Sequence, residues 1–223
     1  MANNQLPLRV LITRPEKKAV KLALSLEQQG IFCVNQPLFD YQPLANSQTC
    51  EALLTKTDLL IFVSVAAVEF AHASFPASHW QCKQVFAVGN ATKQALQALG
   101  IDSIISPELQ NSEGLLALPE LNQEIENKVI TIVRGNGGRE HLATTLSNRG
   151  AKVSYLESYQ RTWRTFTKDI AKQWYELQIN CIVVTSNAIL EKLVQLILAQ
   201  PEQTYTKFWL HQCQWITVSQ RIT

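Results

Sequence analysis

Arg134-Gly135-Asn136-Gly137-Gly138-Arg139-Glu140 is the stretch of this 223-residue chain whose residue types and spacing point most directly to chemistry. Val129, Ile130, Ile132 and Val133 precede it as a short apolar run of the kind a buried parallel strand needs. The glycines allow a sharp turn with φ > 0. Leu142, Ala143 and Leu146 follow at helical spacing. Arg134 therefore ends a strand, where open α/β sheets hold their ligands. Three readings of the turn compete. A dinucleotide fingerprint has Glu157 placed as its acid, but Glu140 stands where the third glycine belongs. No Lys-Ser/Thr follows, which excludes a P-loop. The second reading is an anion-binding helix start that grips a carboxylated ligand through Gly135 and Gly137, with Arg134 as a clamp. The third is a structural tight turn.

Hydroxyl residues recur at equivalent places. Ser64, Ser186 and Ser219 each end an apolar run and precede a helical pattern, as do Asn90 and Thr92. Singly these are N-caps. Together they would line a cleft with hydroxyls and free backbone N–H groups, which suits an anion rich in oxygen. Asn111 or Ser112 is a candidate cap for a further helix. No serine lies in G-x-S-x-G, so nucleophilic catalysis is not indicated. Arg14 ends the first strand as Arg134 ends a later one, and each is either a surface charge or a carboxylate clamp. Tyr159 is either a packing aromatic or a phenol facing the cleft. His72, His79, His141 and His211 share no metal-ligand spacing, so no metal or cofactor is expected. The five cysteines are odd in number and lack CxxC spacing, which fits a reducing cytosol.

The elements that must position these residues form a diverged duplication. Arg14 and Arg134 are 120 residues apart, as are Gly30 and Gly150, and each pair brackets strand, helix and the next strand. Ser64 and Ser186 repeat at an offset of 122. The second copy stops sooner than the first, so either the chain is incomplete at its C-terminal end or this half is unusually short. Strands alternating with helices predict doubly wound parallel sheets. The segments PLFDYQP and ESYQRTWR read as extended linkers rather than core, and residues 166–177 as a helix. Apolar residues at 46% can supply real cores, while a net charge of +2 without charge blocks excludes a dedicated nucleic-acid surface. The longest apolar run is too short to span a bilayer. A cytoplasmic monomer is the expectation.

The pieces VLITRP, LEQQG, DLLIFVSVAAV, VFAVGNATKQALQALG, SEGLL, VRGNGGREHLATTLSNRGAKVSYLESYQR, VVTSNAIL and ITVSQRI, in this order, resemble the uroporphyrinogen-III synthase family. The resemblance implies two flavodoxin-like lobes joined by a two-stranded linker. Residues 1–38 and 161–223 would form one discontinuous lobe, 43–157 the other, with linkers near 38–43 and 157–164. It implies cyclisation of hydroxymethylbilane, a linear tetrapyrrole, to uroporphyrinogen III. Water is lost and the last ring inverted, by conformational control in an interdomain cleft, without cofactor or metal. By position in the matched motif, Tyr159 would assist departure of the hydroxyl, and Ser64, Thr92 and Ser186 match positions at the cleft. Arg14, Asn90, Ser112, Arg134, Gly135, Gly137 and Ser219 complete the candidate substrate-binding set. Val63 stands where many members carry a hydroxyl residue. Transient contact with the upstream deaminase is the implied partnership. The competing reading is a non-catalytic bilobed protein that binds a small anion or nucleotide.

Overall fold

The computed structural model describes residues 7–123, 125–138 and 140–217. In chain order these form β1 (Arg9–Ile12), α1 (Glu16–Glu27), β2 (Phe32–Asn35), β3 (Phe39–Pro43), α2 (Ser47–Leu54), β4 (Leu59–Phe62), α3 (Val65–Ser74), β5 (Gln84–Ala87), α4 (Asn90–Gln97) and β6 (Ile104–Ile105). There follow α5 (Ser112–Ala117), α6 (Pro119–Asn122), β7 (Val129–Gly135), α7 (His141–Asn148), β8 (Lys152–Trp163), α8 (Ile170–Glu176), β9 (Cys181–Val184), α9 (Asn187–Leu198), α10 (Gln203–His211) and β10 (Gln214–Thr217). The chain divides into two compact units, Tyr41–Arg161 and Met1–Asp40 with Thr162–Thr223. Among the described residues, no helix is long and apolar enough to cross a membrane.

In the unit Tyr41–Arg161 the strands lie in the order β3-β8-β7-β4-β5-β6. All but β3 are parallel. β3 runs antiparallel to β8: the Leu44 N–H donates to the Ser158 carbonyl, and the Arg164 N–H to that of Leu38. Side chains of β4 and β7 alternate between two cores. Leu59, Ile61, Ile130 and Ile132 pack with Leu115, Leu142 and Leu146 of α5 and α7. Leu60, Phe62 and Val133 pack on the other face with Leu54, Val68 and Leu96 of α2, α3 and α4. Two covered faces explain why these strands read as unbroken apolar runs.

Counted from β4, the parallel strands lie in the order 3-2-1-4-5, so the order reverses between β4 and β7. The chain leaves β4 into α3 on one face and leaves β7 into α7 on the other. A crevice therefore opens beyond the carboxyl ends of these two strands, the place where such sheets bind ligands. The other unit holds a parallel sheet in the order β10-β9-β1-β2, with its reversal between β1 and β9. Ala19, Leu22, Ala23 and Leu26 of α1 cover Val10 and Ile12 there.

Two expectations need correction. PLFDYQP is extended, but it is not excluded from a core: Leu38 is fully buried and Phe39 is 4% exposed. Pairing of β3 with β8 buries them, and Arg164 holds Asp40 by two hydrogen bonds of 2.8 and 2.7 Å. The helix expected over residues 166–177 starts only at Ile170. Ile170 and Trp174 are buried, but the register ends there, since Leu177 is 42% exposed. The Ile170 N–H closes a turn onto the Thr167 carbonyl, and residues 166–169 lie outside the helix.

Candidate active site

β8 carries the pivotal irregularity. Its register against β7 is regular from Val129↔Lys152 to Arg134↔Glu157, then jumps to Gly135↔Tyr159. Ser158 is the extra residue of a β-bulge. Without it, side chains would continue to alternate, and Tyr159 would lie opposite Leu156 across the sheet. With it, Tyr159 joins Leu156 in the core beneath α3. Ser158 points the same way: its hydroxyl, fully buried, donates to the carbonyls of Ala67 and Arg134. The bulge thus aims a phenol at the start of α3.

Tyr159 is 6% exposed. Tyr41 meets its ring edge-on at a centroid distance of 4.9 Å, and Phe70 lies 5.6 Å away. Its hydroxyl is 3.2 Å from Ser64 Oγ. Ser64 caps α3, its Oγ accepting the Ala67 N–H at 3.0 Å. Gly135 passes directly under the phenol ring: a Cβ there would lie 2.5 Å from Tyr159 Cζ. Tyr159, Ser64 and Gly135 wall a cavity of about 300 Å³, lined also by Val63, Ser112, Asn136, Leu142, Tyr155 and Arg161.

The rest of the glycine turn is bound to its own protein. Gly137 and Gly138 take φ of +67° and +116°, values that L side chains resist. The Gly137 N–H donates to Glu157 Oε1 at 3.2 Å. Arg134 donates to Glu140 Oε1 at 3.1 and 3.0 Å and to Glu157 Oε1 at 3.2 Å. Its guanidinium lies 3.6 Å from the centroid of Tyr155, and the Tyr155 hydroxyl donates to Glu140 Oε2 at 2.6 Å. Arg134 is therefore matched by two carboxylates rather than held open as a clamp. Burial, then the bond to Glu140, pushes the Tyr155 hydroxyl up to about 12, so Tyr155 stays protonated and a donor to Glu140.

Glu140 has its carboxyl held below the ordinary 4.5, first by the Tyr155 hydroxyl and then by Arg134. A carboxyl depressed on folding stabilises above its unfolded value, and that contribution disappears as pH falls through the folded value. Thermal melts taken from neutral pH down through the carboxylate range should show the wild type losing stability more steeply than Glu140→Gln. Parallel curves would remove this network from acid stability.

The structure brings together six of the candidates, Ser64, Ser112, Arg134, Gly135, Gly137 and Tyr159, in one cavity wall. Ser112 is free to line it because Asn111, not Ser112, caps α5 by accepting the Gly114 N–H at 2.7 Å. Asn90 is the first residue of α4, capped from outside by Gln110 Oε1. Thr92 is 4% exposed and faces inward. Neither lines the cavity. Arg14 follows β1 and Ser186 follows β9, at the reversal of the other sheet. Ser186 caps α9 through the Ile189 N–H at 3.4 Å. Ser219 lies outside the described residues. Sequence reasoning missed Tyr155, Asn136 and the partnership of Glu140 and Glu157 with Arg134. The spacing of Tyr155 and Glu157 on one strand face was a usable signal. Among the described residues, no group of three or more His, Cys, Asp or Glu could hold a metal.

A family model described as uroporphyrinogen-III synthase HemD matches residues 20–223. The chain belongs to the uroporphyrinogen-III synthase family. It is 36% identical over 221 residues to the uroporphyrinogen-III synthase of Salmonella typhimurium, a match covering 96% of this chain and 88% of that one. With the Escherichia coli K12 synthase it shares 35% identity over 224 residues, with the same two coverages of 96% and 88%. The fold is similar to a crystal structure of a mutant uroporphyrinogen III synthase from the extremely thermophilic bacterium Thermus thermophilus, with a TM-score of 0.64. That match has 16% identity and covers 97% of this chain and 86% of that one. The synthase family makes this chain a lyase of tetrapyrrole biosynthesis, and not the non-catalytic anion-binding protein of the competing reading. The cavity at the β4–β7 reversal is thus the candidate active site of a family member.

Proposed function

We propose that this chain cyclises hydroxymethylbilane to uroporphyrinogen III and that Tyr159 assists the departing hydroxyl as a hydrogen-bond or proton donor. Family membership supports the reaction. The observation that carries the role of Tyr159 is its place: a bulge, a glycine and a capping serine all serve to hold one phenol at the cavity wall. The substrate is a linear tetrapyrrole with eight carboxylates that closes without help to the wrong isomer. The enzyme's task is then mainly orientation. Loss of the hydroxyl gives an azafulvene cation, which the substituted carbon of the last ring attacks to give a spiro intermediate that reopens and recloses inverted.

The glycine turn over residues 135–138 supports the anion-binding reading in a modified form. One carboxylate, that of Glu157, already occupies the Gly137 N–H, so a substrate carboxylate would have to exchange with it. Ser112, Asn136 and Arg161 offer further polar groups at the same wall. Both units are read as members of the doubly wound class that includes flavodoxin, since each sheet reverses its strand order once. A cytoplasmic monomer with transient contact to the deaminase fits a substrate that closes by itself when left free.

The test supplies hydroxymethylbilane from porphobilinogen and a deaminase, then resolves uroporphyrins I and III by chromatography. The III isomer is expected from the wild-type chain. Tyr159→Phe should form it about 10-fold more slowly, less than the roughly 100-fold or more that a lone positioned acid contributes because Ser64 stays at the wall with its own hydroxyl, with unchanged thermal melting. Only the I isomer from intact protein would defeat the enzyme reading, and wild-type turnover in Tyr159→Phe would remove the tyrosine from its role.

A further inference from the structure

We infer that Ser64 and Tyr159 act as a single coupled donor, with Ser64 setting where the pair's spare proton points. The inference rests on the role proposed for Tyr159. It follows from counting the hydrogen-bonding capacity of the two hydroxyls. The pair holds two O–H protons. One is consumed in the 3.2 Å bond between Ser64 Oγ and Tyr159 Oη, in which either can donate. Ser64 Oγ otherwise accepts the Ala67 N–H, which uses a lone pair and no proton. Among the described residues, neither hydroxyl has a further acceptor. One proton is left over on two groups that both line the cavity.

A surplus proton at a cavity wall is what departure of a hydroxyl requires. As the C–O bond of the hydroxymethyl arm breaks, its electron pair goes to oxygen, and the pair's proton completes the leaving water. The pyrrole nitrogen lone pair forms the azafulvene cation. The hydroxyl pair, now one proton short, is restored when the last ring loses its α-proton on regaining aromaticity, so no net proton is consumed. If Ser64 donates to Tyr159, the phenol delivers the proton. If Tyr159 donates to Ser64, the serine delivers it and the phenol replenishes it. Either way one proton of the pair reaches the cavity, and removing one hydroxyl leaves the other's proton.

The α3 cap permits a test that separates this coupling from structure. Asn and Asp at position 64 are near-isosteric, and both can accept the Ala67 N–H. The Asn amide can also donate to Tyr159 Oη and so leave the phenol proton free. The Asp carboxylate can only accept, and it draws the phenol proton away from the cavity. Ser64→Asn and Ser64→Asp should therefore melt alike, while Ser64→Asp forms the III isomer at least 10-fold more slowly than Ser64→Asn. Ser64→Thr, which keeps a hydroxyl, should form the III isomer faster than Ser64→Ala. Ser64→Ala combined with Tyr159→Phe should lose more than the product of the two single losses, because each single variant keeps one hydroxyl proton and the double variant keeps none. Equal turnover of the Asn and Asp variants, beside a slow Tyr159→Phe, would overturn the coupling and leave Tyr159 in place. Wild-type turnover of Tyr159→Phe would instead defeat the reading on which the coupling rests. Should Ser64→Asp not fold, Ser64→Ala against Ser64→Thr decides, and equal rates overturn the inference.

Discussion

Gly135→Ala is expected to slow formation of the III isomer about 100-fold while leaving a folded protein. The added Cβ would lie 2.5 Å from Cζ, 2.6 Å from Cε2 and 3.0 Å from the hydroxyl of Tyr159. All three atoms belong to a side chain that cannot rotate away, because Tyr41 and Phe70 pack against its ring. Nor can β7 retreat, since the Asn136 N–H is bonded to the Tyr159 carbonyl at 2.8 Å. The ring must shift by about 1 Å, a displacement large enough to cost on the order of 100-fold in a positioned catalytic group. Overpacking of this kind costs about 1–3 kcal/mol of stability, too little to unfold a typical domain. The loss exceeds that expected for Tyr159→Phe because the methyl moves the phenol off Ser64, whereas Phe leaves the serine in position. Isomer analysis and a thermal melt check both halves. Turnover within a few-fold of wild type would show that the contact is not a constraint on catalysis.

Most of the framework was legible because it rests on local patterns. Leu142, Ala143 and Leu146, placed inward by helical spacing, are all buried. The residues at strand ends were recognised as a ligand-facing set, and the reversal of strand order between β4 and β7 explains why Ser64, Arg134, Gly135 and Gly137 meet. What sequence could not show is how the set is wired. Arg134 reads as a spare cation in sequence. In space it faces Glu140, six positions on, and Glu157, brought alongside by parallel pairing of β7 with β8. Tyr159 presented an open choice between packing and catalysis. The bulge at Ser158 makes it both, and a one-residue register shift leaves no trace in composition or periodicity. The place of Thr92 follows from a related detail. A threonine two residues inside a helix reads as a cap, but with Gly89 as the actual cap it turns into the protein.

Gly114→Ala carries the largest expected loss of stability, about 3 kcal/mol, at the upper end for an added methyl. Propensity alone predicts the opposite sign, because alanine favours a helix interior over glycine by about 1 kcal/mol. The local geometry decides. A Cβ on Gly114 would lie 1.9 Å from the Leu109 carbonyl oxygen and 2.9 Å from its carbon. Both are backbone atoms, so no side-chain rotation relieves the clash, and either α5 or the loop before it must move. That loop is tied at both ends: Gln110 caps α4 through the Asn90 N–H, and Asn111 caps α5 through Gly114 itself. Moving α5 also carries Ser112 away from the cavity. A chain of this size loses about 2–4 °C in melting temperature per kcal/mol, so a fall of roughly 10 °C is expected. Asn111→Ala removes only the cap and should cost about 1 kcal/mol. Ser112→Ala leaves the helix in place and reports the loss of the hydroxyl alone. If Gly114→Ala melts with Asn111→Ala, the carbonyl contact is softer than its geometry indicates, and the glycine of SEGLL is explained by neither packing nor conformation.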